Sequence, residues 1–268
     1  MVAEQAEVLI TVQAAPEPSK TYGDTVCVAG IRVDGDRREW VRIYPVPLRH
    51  LESDNRFKKF QVIRVRLNEN TRDPRSESKR PELNSIAVLG ERLTMEGRGP
   101  VLESMVGPTM CDLERGIADD LNAQSLALIK PSAVHRLVFE KHPGWTEEQR
   151  QAMKQEPDLF STGKAEPELQ APRFKVKYEF SCGDNACPRH TRRILDWELV
   201  ALERRYRGRS DADTKQAITT KFLDQMCGSD RRPHFFVGNY ADPKKRRFFS
   251  VLGVYSPKAN TNYADTLF

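Results

Sequence analysis

No run in this sequence approaches the roughly 18 apolar residues that a membrane-crossing helix needs, which argues against a helical membrane protein. The opening MVAEQAEVLITVQAAPEP is acidic and lacks a basic segment followed by a long apolar core, so it does not read as a secretory signal. Cysteine is sparse: five in all, an odd number. That count argues against a disulfide framework and sets a reducing cytoplasm as the expectation. There is no Walker-type glycine loop and no dinucleotide fingerprint, so nucleotide cofactors are not implied. There is no Gly-x-Ser-x-Gly elbow either, since Gly228-Ser229-Asp230 reads as a turn, and covalent hydrolase chemistry has little support.

What is present is a chain of 268 residues, long enough for one large domain or two small ones with a proper core. Charged residues make up 30% of it and the formal net charge is +5. The positive charge is clustered, in residues 56–80, 189–209 and 231–247, while 103–120 and 147–168 are acidic. Clustering of this kind is the footprint expected of a polyanion-binding surface, although solvated faces produce it too.

Residues 8–95 read as β structure, with strands expected at 8–12, 25–33, 40–44, 61–67 and 85–93 and a turn at Asp34-Gly35-Asp36, whose Asp34-Gly35 step signals a hairpin. An antiparallel sheet or small, OB-like barrel would let each strand bury one face. If Val41, Ile43, Ile63, Val65 and Leu67 line the core, the opposite face displays Trp40, Arg42, Tyr44, Arg64 and Arg66. Aromatic rings among arginines on a sheet suit stacking on bases and holding phosphates; burial of the rings under another layer is the alternative. The polar stretch 71–81 adds Arg75, Lys79 and Arg80 as candidate phosphate contacts.

Helices are expected at 101–106 and 109–120, with Thr109 as a cap and Cys111 as packing. Strands follow at 125–129 and 133–139, and then a proline- and glycine-rich linker at 141–172 with one helical piece at 146–154. This divides the chain into a β-rich domain over 1–140, the linker, and an α+β domain over 173–268, an α+β protein throughout. The last domain should hold a strand at 173–180, a helix from Ile194 through Trp197 to about Tyr206, another at 212–226, and two strands at 235–237 and 248–254. The basic loop between those two strands contributes Lys244, Lys245, Arg246 and Arg247; Arg192 and Arg193 join the same candidate nucleic-acid surface. A loosely held tail is expected at 260–268.

The densest chemistry lies between these elements. Cys182, Cys187 and His190 form a Cys-x4-Cys-x2-His turn after a strand, and three soft or borderline ligands so placed suit zinc. A fourth ligand is not adjacent; Cys227, Asp196 and His234 are candidates, with Cys227 best on softness. Four protein ligands would make the site structural, and three plus water potentially catalytic.

The phrases KTYGDTVCVAGI, WVRIYPVPLR, FSCGDNACPRH, ILDWE and FFVGN resemble phrases of an uncharacterised family of bacterial proteins. That resemblance implies a bacterial cytoplasmic setting and carries no activity. From the residues, the leading reading is a zinc-stabilised nucleic-acid-binding protein, a candidate component of a larger nucleic-acid-processing or defence assembly, with the balance leaning against an enzyme. One alternative is a metal-dependent phosphodiesterase or nuclease using His190, Asp196 and Glu198; the two acids lie two apart on a helix and lack a nuclease-type lysine nearby. The other is a subunit that docks a protein partner.

Overall fold

The computed structural model describes residues 3–16, 18, 25–35, 38–49, 51, 55–154, 169–261 and 263. Residues 155–168 of the expected linker, Asp36 of the expected turn and most of the expected loose tail lie outside them. The described chain packs as two units. One contains the residues up to Arg72, Ser78–Arg92 and Lys141–Arg173; the other contains Asp73–Glu77, Leu93–Glu140 and the chain from Phe174. The protein is α+β.

The first unit is a closed barrel of five strands: β1 (Glu4–Gln13), β2 (Val26–Arg32), β3 (Glu39–Val46), β4 (Val62–Glu69) and β5 (Ser78–Pro81), with the short β6 (Ala87–Val88) on the edge of β4. Around the barrel the order is β1-β2-β3-β5-β4, and β4 pairs back with β1. All pairs are antiparallel except β3 with β5, which run parallel. This connectivity is that of the OB fold, a five-stranded Greek-key barrel. Alternation decides which side chains fill it: Ala6, Val8, Ile63 and Val65 face one another across β1 and β4 and are buried. Local pattern does not predict the fifth strand. Ser78–Pro81 reads as a polar basic loop because closure depends on its backbone pairing and little on its side chains.

The second unit starts with α1 (Met95–Glu103) and α2 (Met110–Asp119). Thr109 and Asp112 form a reciprocal capping box at the start of α2, and Met110, Cys111, Leu113 and Ile117 are its buried face. Strand β7 (Leu126–Ile129) runs into β8 (Pro131–Lys141) across the single residue Lys130. After α3 (Glu147–Lys154), which belongs to the first unit, come β9 (Phe174–Cys182), β10 (His190–Arg193), α4 (Trp197–Arg205), α5 (Asp211–Thr219), a π-helical turn at Thr220–Gln225, β11 (His234–Asn239) and β12 (Phe249–Tyr255). Helix α4 begins only at Trp197; Ile194, at the head of the expected helix, is extended and bridges to Val251.

Two three-stranded sheets result, β10-β9-β8 and β12-β11-β7. They join on one side through the near-continuous β7–β8 and on the other through a parallel bridge between Ile194 and Val251. If β7–β8 is counted as one strand, the order is again 1-2-3-5-4-1 with strands 3 and 5 parallel. The helices α4 and α5 fall between strands 3 and 4. The second unit therefore repeats the connectivity of the first, in a more open form.

Its core is aromatic. Every second residue of β9 from Phe174 to Cys182 is buried, and Tyr178 stacks on Phe235 at 4.7 Å while Phe180 meets the same ring edge-on at 5.2 Å. Such pairs contribute about 0.5–1.5 kcal/mol each beyond area burial. The wholly buried Tyr178 hydroxyl needs a partner and donates to the Phe222 carbonyl in the π-helical turn at 2.6 Å.

Candidate metal centre and basic hairpin

The alternation that buries Phe174 through Phe180 also carries Cys182 inward as the last residue of β9. The chain turns through Gly183–Arg189, with Arg189 at a positive φ of 66°, and re-enters at His190, which pairs with Phe180 across the hairpin. Cys187 lies in that turn, and its sulfur accepts the Cys182 backbone N–H at 3.3 Å. The fourth member comes from α2: Cys111 Sγ lies 3.5 Å from Cys182 Sγ and 3.4 Å from His190 Nε2. Ligand atoms of Cys111, Cys182, Cys187 and His190 all lie within 4.8 Å of one another. Four ligands about 2.3 Å from one ion sit about 3.8 Å apart, so this cluster could hold a metal ion. Among the described residues it is the one such group of three or more.

The surroundings are tuned accordingly. Burial opposes ionisation of Cys182, but N–H groups of Asp184 and Cys111 and the His190 ring outweigh it, and its thiol sits below the usual thiol range. Cys111 is pushed up by burial and by Cys182 beside it. His190 is 1% exposed. Burial alone would lower its pKa, yet Glu114, whose Oε2 lies 3.6 Å from Nδ1, reverses the direction. That separation is an electrostatic contact longer than a hydrogen bond. It leaves Nε2 on the cysteine side, the arrangement by which a carboxylate orients a ligating imidazole. Arg192 in turn holds Glu114.

Cys227, expected as the fourth ligand, is elsewhere: its thiol is directed at the Phe222 carbonyl, next to Tyr178. His234 is buried against the Tyr255 ring, and Asp196 caps α4 by accepting the Glu198 N–H at 3.0 Å. The structure thus gathers His190 with three cysteines and not with Asp196 and Glu198. Cys111 reads as packing in the sequence because it sits on the apolar face of an amphipathic helix, 71 residues before Cys182. The one signal pointing to it is arithmetic: a soft three-ligand motif lacks a partner, and three further cysteines are on offer.

The candidate nucleic-acid residues separate into enclosed, paired and open groups. Arg42 is 3% exposed; it faces the same way as Ala29, its partner on β2, and Trp40 faces the same way as Ile31 and Leu9. Ala29, Ile31 and Leu9 are wholly buried, so this outer barrel face is covered, with Trp40 and Tyr44 only half-exposed. Arg64 and Arg66 are exposed but paired across the sheet with Glu7 at 2.8 Å and with Glu82 at 2.5 Å; Lys79 pairs with Glu69. Arg80 is exposed. Arg75 is 7% exposed, bound by Asp73 and by the Asn239 carbonyl. Arg192 is committed to Glu114, and Arg193 is half-buried.

The hairpin loop between β11 and β12 is different. Lys244, Lys245 and Arg247 are exposed, and among the described residues no ion pair engages them. Arg246 is 2% exposed and forms the anchor, donating to the carbonyls of Leu121 at 3.2 Å and Ala241 at 2.5 Å. Helix α2 therefore connects the two features, with Cys111 in its first turn and Leu121 just past its C-cap. Phe248, at the end of the loop, is 61% exposed.

Residues 106–268, which contain both three-stranded sheets, match the family described as Domain of unknown function (DUF8757). The chain belongs to the DUF8757 family. Residues 4–103, the first barrel, match a second domain of unknown function, DUF8758. No curated protein matches this DUF8757 chain. Seven solved chains match it. One is described as "Structure of murine DNA binding protein bound with ds DNA"; the alignment covers 97% of this chain and 98% of that one, at 8% identity and a TM-score of 0.31. Among the described residues no helix is long and apolar enough to cross a membrane.

Proposed function

We propose that this DUF8757 protein binds nucleic acid through the β11–β12 loop of its second unit, and that a structural zinc held by Cys111, Cys182, Cys187 and His190 steadies the module that presents the loop. The observation that carries the reading is the unneutralised charge of Lys244, Lys245 and Arg247, clustered on one loop, where Arg64 and Arg66 of the first barrel are paired with carboxylates. Unpaired cations release counterions when they meet phosphate, the term that dominates nucleic-acid affinity. In OB barrels the loop between strands 4 and 5 is one of the elements that contact oligonucleotides, and the β11–β12 loop occupies that position. Three thiolates and an imidazole favour zinc over hard cations. A set of four protein ligands leaves no open position for a reacting water, which supports a structural and not a hydrolytic role.

The test is fluorescence anisotropy with labelled single-stranded DNA, duplex DNA and RNA at two salt concentrations. Wild-type protein should bind at low salt and weaken steeply as salt rises. A K244E/K245E/R247E protein should lose most of that affinity, and its salt slope should fall by about 2 to 3. R64A/R66A should bind much as wild type does. If the barrel-face variant loses binding while the loop variant keeps it, the contact belongs to the first barrel and the proposal fails.

A further inference from the structure

We infer that Phe248 is a base-stacking platform and that the strand bound at this loop is single-stranded, an inference that rests on the nucleic-acid reading proposed above. Phe248 and Leu121 are the two large apolar side chains most open to solvent among the described residues. Phe248 immediately follows exposed Arg247, close in the chain to Lys244 and Lys245. Its neighbour Phe249 is buried as the first residue of β12, whereas Phe248 ends the loop before the strand and is open to solvent. The ring therefore has no packing role that would account for it.

The loop beneath the ring is preformed. Asp242 accepts the Lys244 N–H at 3.0 Å on its carboxylate and the Lys245 N–H at 2.9 Å on its carbonyl, and the Phe248 N–H reaches the Lys245 carbonyl at 2.9 Å. Buried Arg246 ties the same turn to the carbonyls of Leu121 and Ala241. An exposed aromatic on a fixed turn loses little entropy when a flat partner covers it. A phenyl ring flanked by long cations matches the repeat of a nucleic-acid strand, in which each base face is followed by a phosphate. A duplex keeps its base faces stacked on one another and offers this ring only groove edges, unless a step is pried open. A single strand offers base faces at little cost. Charge complementarity thus selects a polyanion, and the ring selects an unpaired one.

The experiment uses full-length protein with one labelled oligonucleotide, its duplex with the complement, and vesicles containing anionic lipid. Wild type should prefer the single strand over the duplex. Phe248→Ala should weaken single-strand binding about five-fold or more and leave the duplex nearly unchanged. Phe248→Trp should retain affinity, whereas Phe248→Leu, apolar but without a π face, should behave like the alanine variant. Because Phe248 is exposed, its replacement should leave the fold intact, and circular dichroism with a thermal melt checks this. Single-strand affinity unchanged in Phe248→Ala, or a loss shared equally by the duplex, would overturn the inference while leaving nucleic-acid binding in place. Failure to bind either nucleic acid, with or without vesicle binding, would overturn the parent reading and this inference with it.

Discussion

Replacing Cys111 by serine removes one of four clustered ligand atoms and changes little else, because the side chains are nearly isosteric. The sulfur that is lost stands 3.5 Å from Cys182 Sγ and 3.4 Å from His190 Nε2, and a hydroxyl at that place is a poor zinc ligand at neutral pH. Removal of groups that only orient ligands lowers metal affinity about 10- to 100-fold, so loss of a ligand itself should cost at least about 100-fold. With metal in excess, a 100-fold weaker site forfeits about 2.7 kcal/mol of stability through linkage. For a chain of this size that corresponds to a fall in Tm of roughly 5 to 10 °C. The protein should be purified without added chelator, its metal content measured by mass spectrometry, and melts compared with and without EDTA. Wild type should carry about one zinc and melt lower in EDTA; Cys111→Ser should carry little zinc and respond little to EDTA. Cys227→Ser should behave as wild type in both measurements, since its thiol lies outside the cluster. Stoichiometric zinc in Cys111→Ser, or its loss in Cys227→Ser, would refute the assignment of the fourth ligand.

Two further outcomes follow from the packing. A Cβ added to Gly30 would lie 2.3 Å from the Leu9 carbonyl oxygen and 2.6 Å from Val8 Cγ1. Backbone cannot swing aside as a side chain can, so Gly30→Ala should destabilise the protein by about 3 kcal/mol; an unchanged urea midpoint would contradict this. Burial lowers the pKa of His234, outweighing the opposing influence of Glu103. The unfolded state then binds the proton more readily, so stability from this residue is complete above about pH 6.5 and declines as pH falls below it, towards the lower folded value. Urea midpoints taken between pH 7.5 and 5 should fall more steeply for wild type than for His234→Gln, and parallel curves would rule out His234 as the cause.

Period-two alternation along the chain marks most of the strands. In β4 and β9 the alternate residues are those the fold buries, because a half-buried strand has only two faces. The Cys182, Cys187 and His190 turn is legible for a related reason: residues a few positions apart at a strand end cannot be far apart in space. Other features depend on partners distant in the chain. Glu7 neutralises Arg64 from 57 positions away, and the outer face carrying Arg42 is covered, which no local pattern records. Ser78–Pro81 closes the first barrel although its own side chains advertise a loop. The sequence by itself determined most of the elements, the positive charge and three of the four clustered ligands, all set by local spacing. Tertiary structure alone decided that Cys111 and not Cys227 completes the cluster, and that Arg64 and Arg66 are neutralised while Lys244, Lys245 and Arg247 stay open. Both outcomes turn on which distant segments the barrel connectivity brings within a few ångströms.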